Sequence, residues 1–331
     1  MLHTEHILTL LKLPGIGRVK VTEIIHSAYE TPRKLNELWG LIKHTNNNNA
    51  KIKVPEWETL EKSYENAKLE IEQCEKLNIH IIGICDDLYP KRLKLTQDAP
   101  VLIYAKGNLH CLNDQKLVAI VGTRKPSKYG STCSHLFGKN FAEEGIVVVS
   151  GLAKGIDTSA HEGCIEVNGK TIAVLAQGLD TPIYPKENRP LADKIIAAGG
   201  CLISEYGLGV RGRPNYFVER NRIQSGISDG VAVIETDVKG GTMHTVGFCL
   251  KQEKPLGCLN HPNKFLVNND KASGNQLLLE KKQAMPLFTP KDFEKFIQCF
   301  KYVGESSEDL CSKKNKSHST PDQDDEQLSL F

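Results

Sequence analysis

From residue 117 onward, short apolar runs alternate with amphipathic stretches. The runs at 117–121, 146–150, 171–176, 201–204, 230–235 and 255–259 are rich in β-branched and small apolar residues. The stretches near 129–144, 157–167, 188–198, 215–227 and 242–252 carry helical spacing. Near-continuous apolar strands joined by helical crossovers predict a parallel sheet covered on both faces. The fold class expected is therefore α/β, a Rossmann-like, doubly wound parallel sheet, with the strand C-terminal ends and their loops along one edge. Upstream, residues 5–28 carry helical periodicity interrupted by Leu13-Pro-Gly-Ile-Gly17, and 57–77 reads as an amphipathic helix. The run Asn46 to Asn49 predicts a flexible loop. Short strands are expected at 79–84 and 101–105. After residue 263 the pattern weakens to a last strand at 284–288 and a short helix at 292–300. Residues 304–326 lack core residues and read as disordered. The organisation expected is a small helical domain over 1–78, an extended Rossmann-like domain over 79–288 (core 117–262), a short helix within 289–303, and an acidic tail over 304–331.

Composition narrows this little. The chain has 331 residues, is 40% hydrophobic and 25% charged, and carries a net charge of +2. A nucleic-acid partner then requires a local basic patch rather than a globally basic protein. The ten cysteines form no C-x-x-C pair, and irregular spacing within apolar patterns predicts buried free thiols in a reducing compartment. No metal-ligand spacing and no cofactor motif is recognised, so neither is expected. The N-terminus does not read as a signal peptide and no apolar run reaches membrane-spanning length, so a cytoplasmic protein without a membrane partner is expected.

Candidate chemistry gathers in the loops after the strands. Four β-branched residues run from Ile146 into Ser150 and Gly151, and small residues with Lys154 and Gly155 lead to a helix near Asp157. A buried strand ending in small residues at a helix start is suited to receive a phosphate on its backbone N–H groups. The loop after the first strand, 122–130, offers Arg124, Lys125 and Lys128 with hydroxyls from Thr123 and Ser127. Arg220 and Arg222 flank Asn221 at an expected helix start, and Gly241 and Thr242 supply a further small-residue turn. Tyr184, Tyr216 and Phe217 are candidates for stacking on bases. The alternative for Arg220 and Arg222 is pairing with Glu205, Glu219 or Glu235 at the surface. Near the N-terminus, the Pro-Gly-x-Gly segment suggests a helix-hairpin-helix. Gly15 and Gly17 would admit a phosphate there, with Arg18 and Lys20 assisting. The stretch 207–212 fits G-x-G-x-x-G formally, but Arg213-Pro214 follows at once and no matching first βαβ unit precedes it, so it is set aside. His161 reads as a packing histidine and His244 as a loop histidine. No nucleophile–base pair stands out, so an enzyme is not expected.

These residues resemble one family. Val118 to Arg124 with Tyr129-Gly130, then Ser150-Gly151 through Asp157 with Ala160-His161, are similar to the DNA-processing protein DprA (Smf) family. The likeness continues through Gly178-x-Asp180, Tyr184-Pro185, Ser204-Glu205, Phe217-x-x-Arg-Asn-Arg-Ile223 and Ser225-Gly226, and covers roughly residues 80–265. It implies an extended Rossmann domain that binds single-stranded DNA as a homodimer and passes it to the recombinase RecA during transformation. It also implies DNA contacts at Arg124, Lys154, Arg220, Asn221 and Arg222. Two departures stand out: the chain after the sheet is too short and polar for the winged-helix-like domain of many relatives, and Glu219 brings an acid beside the arginines. The terminal Gln327, Leu328, Leu330 and Phe331 resemble the short peptide by which bacterial proteins dock on the replication sliding clamp. The rival reading is a nucleotide-binding sensor or a phosphoribohydrolase of the LOG type. Gly240-Gly-Thr-Met-His-Thr245 echoes that family's turn, but Thr245 stands where its glutamate would, leaving no owner for the general-acid role.

Overall fold

The computed structural model describes residues 2–266 and 269–300. The tail with Gln327, Leu328, Leu330 and Phe331 therefore lies outside the described residues. In chain order the elements are α1 (Thr4–Lys12), α2 (Arg18–His26), α3 (Leu35–Asn48), α4 (Trp57–Lys76), β1 (His80–Gly83), α5 (Lys91–Lys94), β2 (Leu102–Gly107), β3 (Leu117–Val121), α6 (Lys128–Glu143), β4 (Val147–Ser150), α7 (Ile156–Glu166) and β5 (Thr171–Leu175). They continue with α8 (Arg189–Ala197), β6 (Cys201–Ser204), α9 (Pro214–Ile227), β7 (Gly230–Val233), α10 (Thr242–Lys251), β8 (Leu256–Leu259), α11 (Ser273–Glu280), β9 (Met285–Leu287) and α12 (Pro290–Gln298). The described residues form two compact units, each assembled from separated segments: those up to Asn113 with Ile172–Arg220, and Asp114–Thr171 with the described residues from Asn221 to Phe300.

The second unit holds the parallel strands β4-β3-β7-β8-β9, in that order. The links from β3 to β4, β7 to β8 and β8 to β9 each carry a helix, as parallel neighbours require. One face presents Val118, Ile120, Val148, Ala232 and Ile234 to Phe137 and Phe141 of α6, Ile156 and Ala160 of α7, and Phe293 and Phe296 of α12. Side chains alternate along a strand, so Val231 and Val233 face the other way. There α10 packs on β7 and β8, burying Val246 and Cys249. Each buried Val, Ile or Phe among them stabilises the unit by roughly 1.5–3 kcal/mol. This is the α/β, Rossmann-like arrangement that the apolar runs predict.

The first unit orders its strands β1-β2-β6-β5. β1, β2 and β6 are antiparallel neighbours, with Ile82 opposite Ile103 and Ala105 opposite Ile203, and β6 runs parallel to β5. Helices α1 and α4 pack together and against β1. One expectation fails here: Asn46, Asn47 and Asn48 form the last turn of α3 rather than a loop. Buried Leu38, Ile42 and Thr45 anchor that helix, and Asn46 Nδ2 donates to the Ile52 carbonyl at 2.7 Å. Tertiary burial overrides the weak helix propensity of asparagine. Among the described residues, no helix is long and apolar enough to cross a membrane.

Candidate nucleic-acid interface

In the second unit, the loops that follow β3 and β4 are built into one another. Ile156 N–H donates to the Thr123 carbonyl at 3.2 Å. Gly155 has φ +81°, and a Cβ there would lie 2.6 Å from the Thr123 oxygen and from Pro126 Cδ. Only glycine meets both the backbone conformation and the approach. Asp157, buried at the start of α7, accepts N–H bonds from Gly151 at 3.1 Å and Ala153 at 3.3 Å. Ser150 is buried, and its hydroxyl donates to the Ile120 carbonyl at 2.7 Å. The expectation that Ser150 and the Gly151 amide face a phosphate is thus corrected. An internal carboxylate already takes that amide, and the loop gains rigidity instead. What this rigid pair of loops exposes is Arg124, Lys125, Lys128 and Lys154, with Gly155 half-buried between them.

Glu235, at the end of the β7 run, holds the base of the first loop. It is fully buried, and its carboxylate accepts from Ser127 N at 2.7 Å, Ser127 Oγ at 2.5 Å and Asn269 Nδ2 at 3.1 Å. His261 Nε2 lies 3.5 Å away. Burial works to raise the pKa, but hydrogen bonds from His261, Ser127 and Asn269 outweigh it and hold the group at about 2. Ser127 also caps α6 by accepting from Gly130 N at 2.9 Å. Tyr129 stacks on Phe265, centroids 3.9 Å apart, and His261 and Asn269 approach this carboxylate directly. Asn275 Nδ2 bridges the carbonyls of Ile234 (2.7 Å) and Leu259 (3.2 Å), while its Oδ1 accepts from Thr236 N at 2.9 Å. No motif or spacing marks Glu235 or Asn275 for these roles, which arise from contacts with the weakly patterned region after residue 260. Gly241 is exposed at the N-cap of α10, whereas Thr242 and Thr245 are buried.

The first unit repeats the device with other chemistry. Gln177 Nε2 donates to Thr181 Oγ1 at 2.7 Å and the Pro182 carbonyl at 2.9 Å, and its Oε1 accepts from Tyr184 N at 3.2 Å. Both Asp180 carboxylate oxygens lie 2.9 Å from Gly209 N, which pins the turn to the 207–210 loop. The surface so fixed is aromatic. Tyr184 is 59% exposed and meets Phe217 edge-on, and Tyr206 stacks on Tyr216 with centroids 4.2 Å apart. Exposed Arg211 and Arg213 stand in the same stretch, with Arg213 beside the Tyr216 ring. Both cations belong to the G-x-G-x-x-G segment and its flank, where likeness to a dinucleotide motif masks them.

Arg220 and Arg222 differ from expectation. They lie in the middle of α9, not at its start, and are only 4% and 7% exposed. Residues two apart point to well-separated sides of a helix, so burial of both means α9 is enclosed around much of its circumference. Neither is a surface cation. Asn221 between them is half-buried. Exposed Glu219 accepts instead from Tyr206 Oη at 3.0 Å and lies 3.4 Å from Asn215 Nδ2. The C-terminal end of α9 is capped by Lys254 Nζ on the carbonyls of Ser225, Gly226 and Ser228.

At the N-terminus, α1 and α2 are joined through Gly15 (φ +74°) and Gly17, the N-cap of α2. Arg18 donates to the Asp98 carbonyl and Lys20 Nζ to the Gly15 carbonyl at 2.8 Å, so both candidate cations are engaged within the chain. His161 is a buried packing histidine with Nδ1 2.7 Å from Thr171 Oγ1, and His244 is exposed on α10.

A parallel α/β body whose strand-end loops are locked by internal hydrogen bonds defines a protein of the Rossmann-like class. The chain belongs to the DNA recombination-mediator protein A family, whose model matches residues 80–298. It is 37% identical to Protein Smf of Escherichia coli over 206 residues, 62% of this chain and 54% of that protein. It is 44% identical to the DNA processing protein DprA of Streptococcus pneumoniae over 163 residues, 49% of this chain and 56% of that one. The chain thus spans about half the length of these curated relatives. Among solved structures, DprA of S. pneumoniae matches with TM-score 0.73 and 27% identity, over 91% of this chain and all of that one. DprA of Helicobacter pylori, whose structure concerns its single-stranded DNA binding mode, matches with TM-score 0.59 and 29% identity, over 67% and 97%.

Proposed function

We propose that this protein binds single-stranded DNA and holds it without cutting it. The observation that carries the reading is the set of exposed Arg124, Lys125, Lys128 and Lys154 on two interlocked loops. Cations on a rigid backbone engage phosphates at low ordering cost. The exposed Tyr184 and Arg211 and Arg213 supply rings and charge suited to unstacked bases. The single-stranded DNA binding mode of the H. pylori relative supports the same substrate class. Delivery of the strand to RecA and pairing of two copies are part of the same proposal, suggested by family likeness. DNA contact by Gly15 and Gly17 would then be made by backbone alone.

The test is oligo-dT affinity across a salt series for wild type and for Arg124→Ala with Lys154→Ala. Each phosphate interaction removed should lower the log–log salt slope by about 0.7, so the double variant should lower it by about 1.4. An unaltered slope would remove these residues from the interface, and a wild type that ignores oligo-dT would remove the function.

A further inference from the structure

Three groups from separate parts of the first unit converge on the carboxylate of Glu70. This residue of α4 accepts from Lys12 Nζ at 2.5 Å through Oε2 and from the Tyr104 hydroxyl at 2.6 Å through Oε1. Lys12 is the last residue of α1, directly before the Leu13–Gly17 hairpin, and Tyr104 lies on β2. The third group is backbone. A Cβ on Gly207 would fall 2.9 Å from Glu70 Oε1 and 3.0 Å from Tyr104 Oη, so the 205–213 loop rests directly on this pair. Tyr104 is buried, and Glu70 keeps only 15% of its side-chain exposure. From its other side, Gly209 N is held by Asp180. The loop that carries Tyr206, Arg211 and Arg213 is therefore clamped between two carboxylates, one on the turn that follows β5 and one on the helical layer.

We infer that Glu70 is a positioning residue: the Lys12–Glu70–Tyr104 junction fixes the 205–213 loop in its DNA-binding geometry, so the N-terminal helices set affinity by way of this loop. This rests on the proposal that the protein binds single-stranded DNA. The physical case is that a loop held at both ends needs no ordering when its ligand arrives, whereas a loosened loop must be ordered on binding. Lys12 neutralises the carboxylate and Tyr104 orients it, which leaves the oxygen facing Gly207 fixed in place.

The experiment uses the full chain and fluorescent oligo-dT. Glu70→Gln and Tyr104→Phe should each weaken binding about tenfold, with the salt slope unchanged because no phosphate interaction is removed. The double variant should be no weaker than either single one, since both break the same junction. Hydrogen exchange should accelerate at the amides of 207–213 while β3, β4 and β7 keep their protection. Where a substitution at Glu70 prevents folding, Gly207→Ala displaces the loop from its own side and should reproduce the loss. Wild-type affinity in folded Glu70→Gln, or losses that multiply in the double variant, would overturn the inference. Absence of oligo-dT binding by the unmodified chain would instead strike the functional proposal on which it rests.

Discussion

Two pairs of loops in this protein solve the same mechanical problem with different surfaces. In the second unit the loops after β3 and β4 are locked by buried Asp157 and Glu235 and expose four cations. In the first unit the turns after β5 and β6 are locked by Gln177 and Asp180 and expose the Tyr184 ring together with Arg211 and Arg213. Asp157, Glu235 and Gln177 are buried against backbone and hydroxyl partners, and Asp180, although exposed, is committed to Gly209 N–H. The difference lies only in what is left outside. Charges suit a repeating phosphate backbone and rings suit bases of any identity, so each surface tolerates any sequence. The comparison also teaches that glycine-rich loops in such a fold need not present their own amides to an anion. Here Asp157 takes them first.

The largest effect that would break this comparison is at Glu235. Glu235→Ala leaves Ser127 and Asn269 donors buried beside a cavity and should destabilise the fold by about 3–5 kcal/mol, read by urea unfolding. The pH dependence has a definite sign. The folded-state pKa is depressed from 4.5 to about 2, so the stabilisation is complete above about 4.5 and is lost as pH falls towards 2. Wild type should lose stability through that window more steeply than Glu235→Gln. Parallel acid titrations of the two would exclude Glu235 as the lock.

Next in size are the buried arginines. Arg220→Ala and Arg222→Ala should each cost about 2–3 kcal/mol of stability by removing packing and polar interactions. In samples still folded, the salt slope of oligo-dT binding should match wild type. A reduced slope with unchanged stability would return them to the surface role that family likeness implies.

The smallest effect sharpens the aromatic side. Tyr184→Ala should weaken oligo-dT binding by about 1–2 kcal/mol at every salt concentration. A change in slope rather than a parallel offset would show that Tyr184 acts on phosphates or on loop shape instead of on bases.

What is legible in the chain depends on the kind of interaction involved. The strands are legible because runs such as Leu117 to Val121 are buried on both faces and leave no polar position to confuse the pattern. The cations at 124, 125, 128 and 154 are legible because they fall in loops between such runs. Arg220 and Arg222 mislead because the C-terminal half of α9 carries polar residues in sequence yet is largely buried in the fold, and composition cannot report a helix's surroundings. Glu235 is visible only as a candidate surface partner, since its donors come from Ser127 and Asn269, far apart in the chain. The asparagine run of α3 reads as loop because propensity is local and the burial of Ile42 is not.

The antiparallel pairing of β2 with β6 has a consequence for synthesis on the ribosome. Gly107 must wait for Cys201 as its partner, and every element from β3 to α8 is made between them. At about 5–20 residues per second the edge of β2 stays open for seconds to tens of seconds. An open, apolar strand edge in a nascent chain is a target for wrong pairing with neighbouring chains. Slower translation or crowded polysomes should therefore reduce the yield of folded protein more than its equilibrium stability alone would suggest.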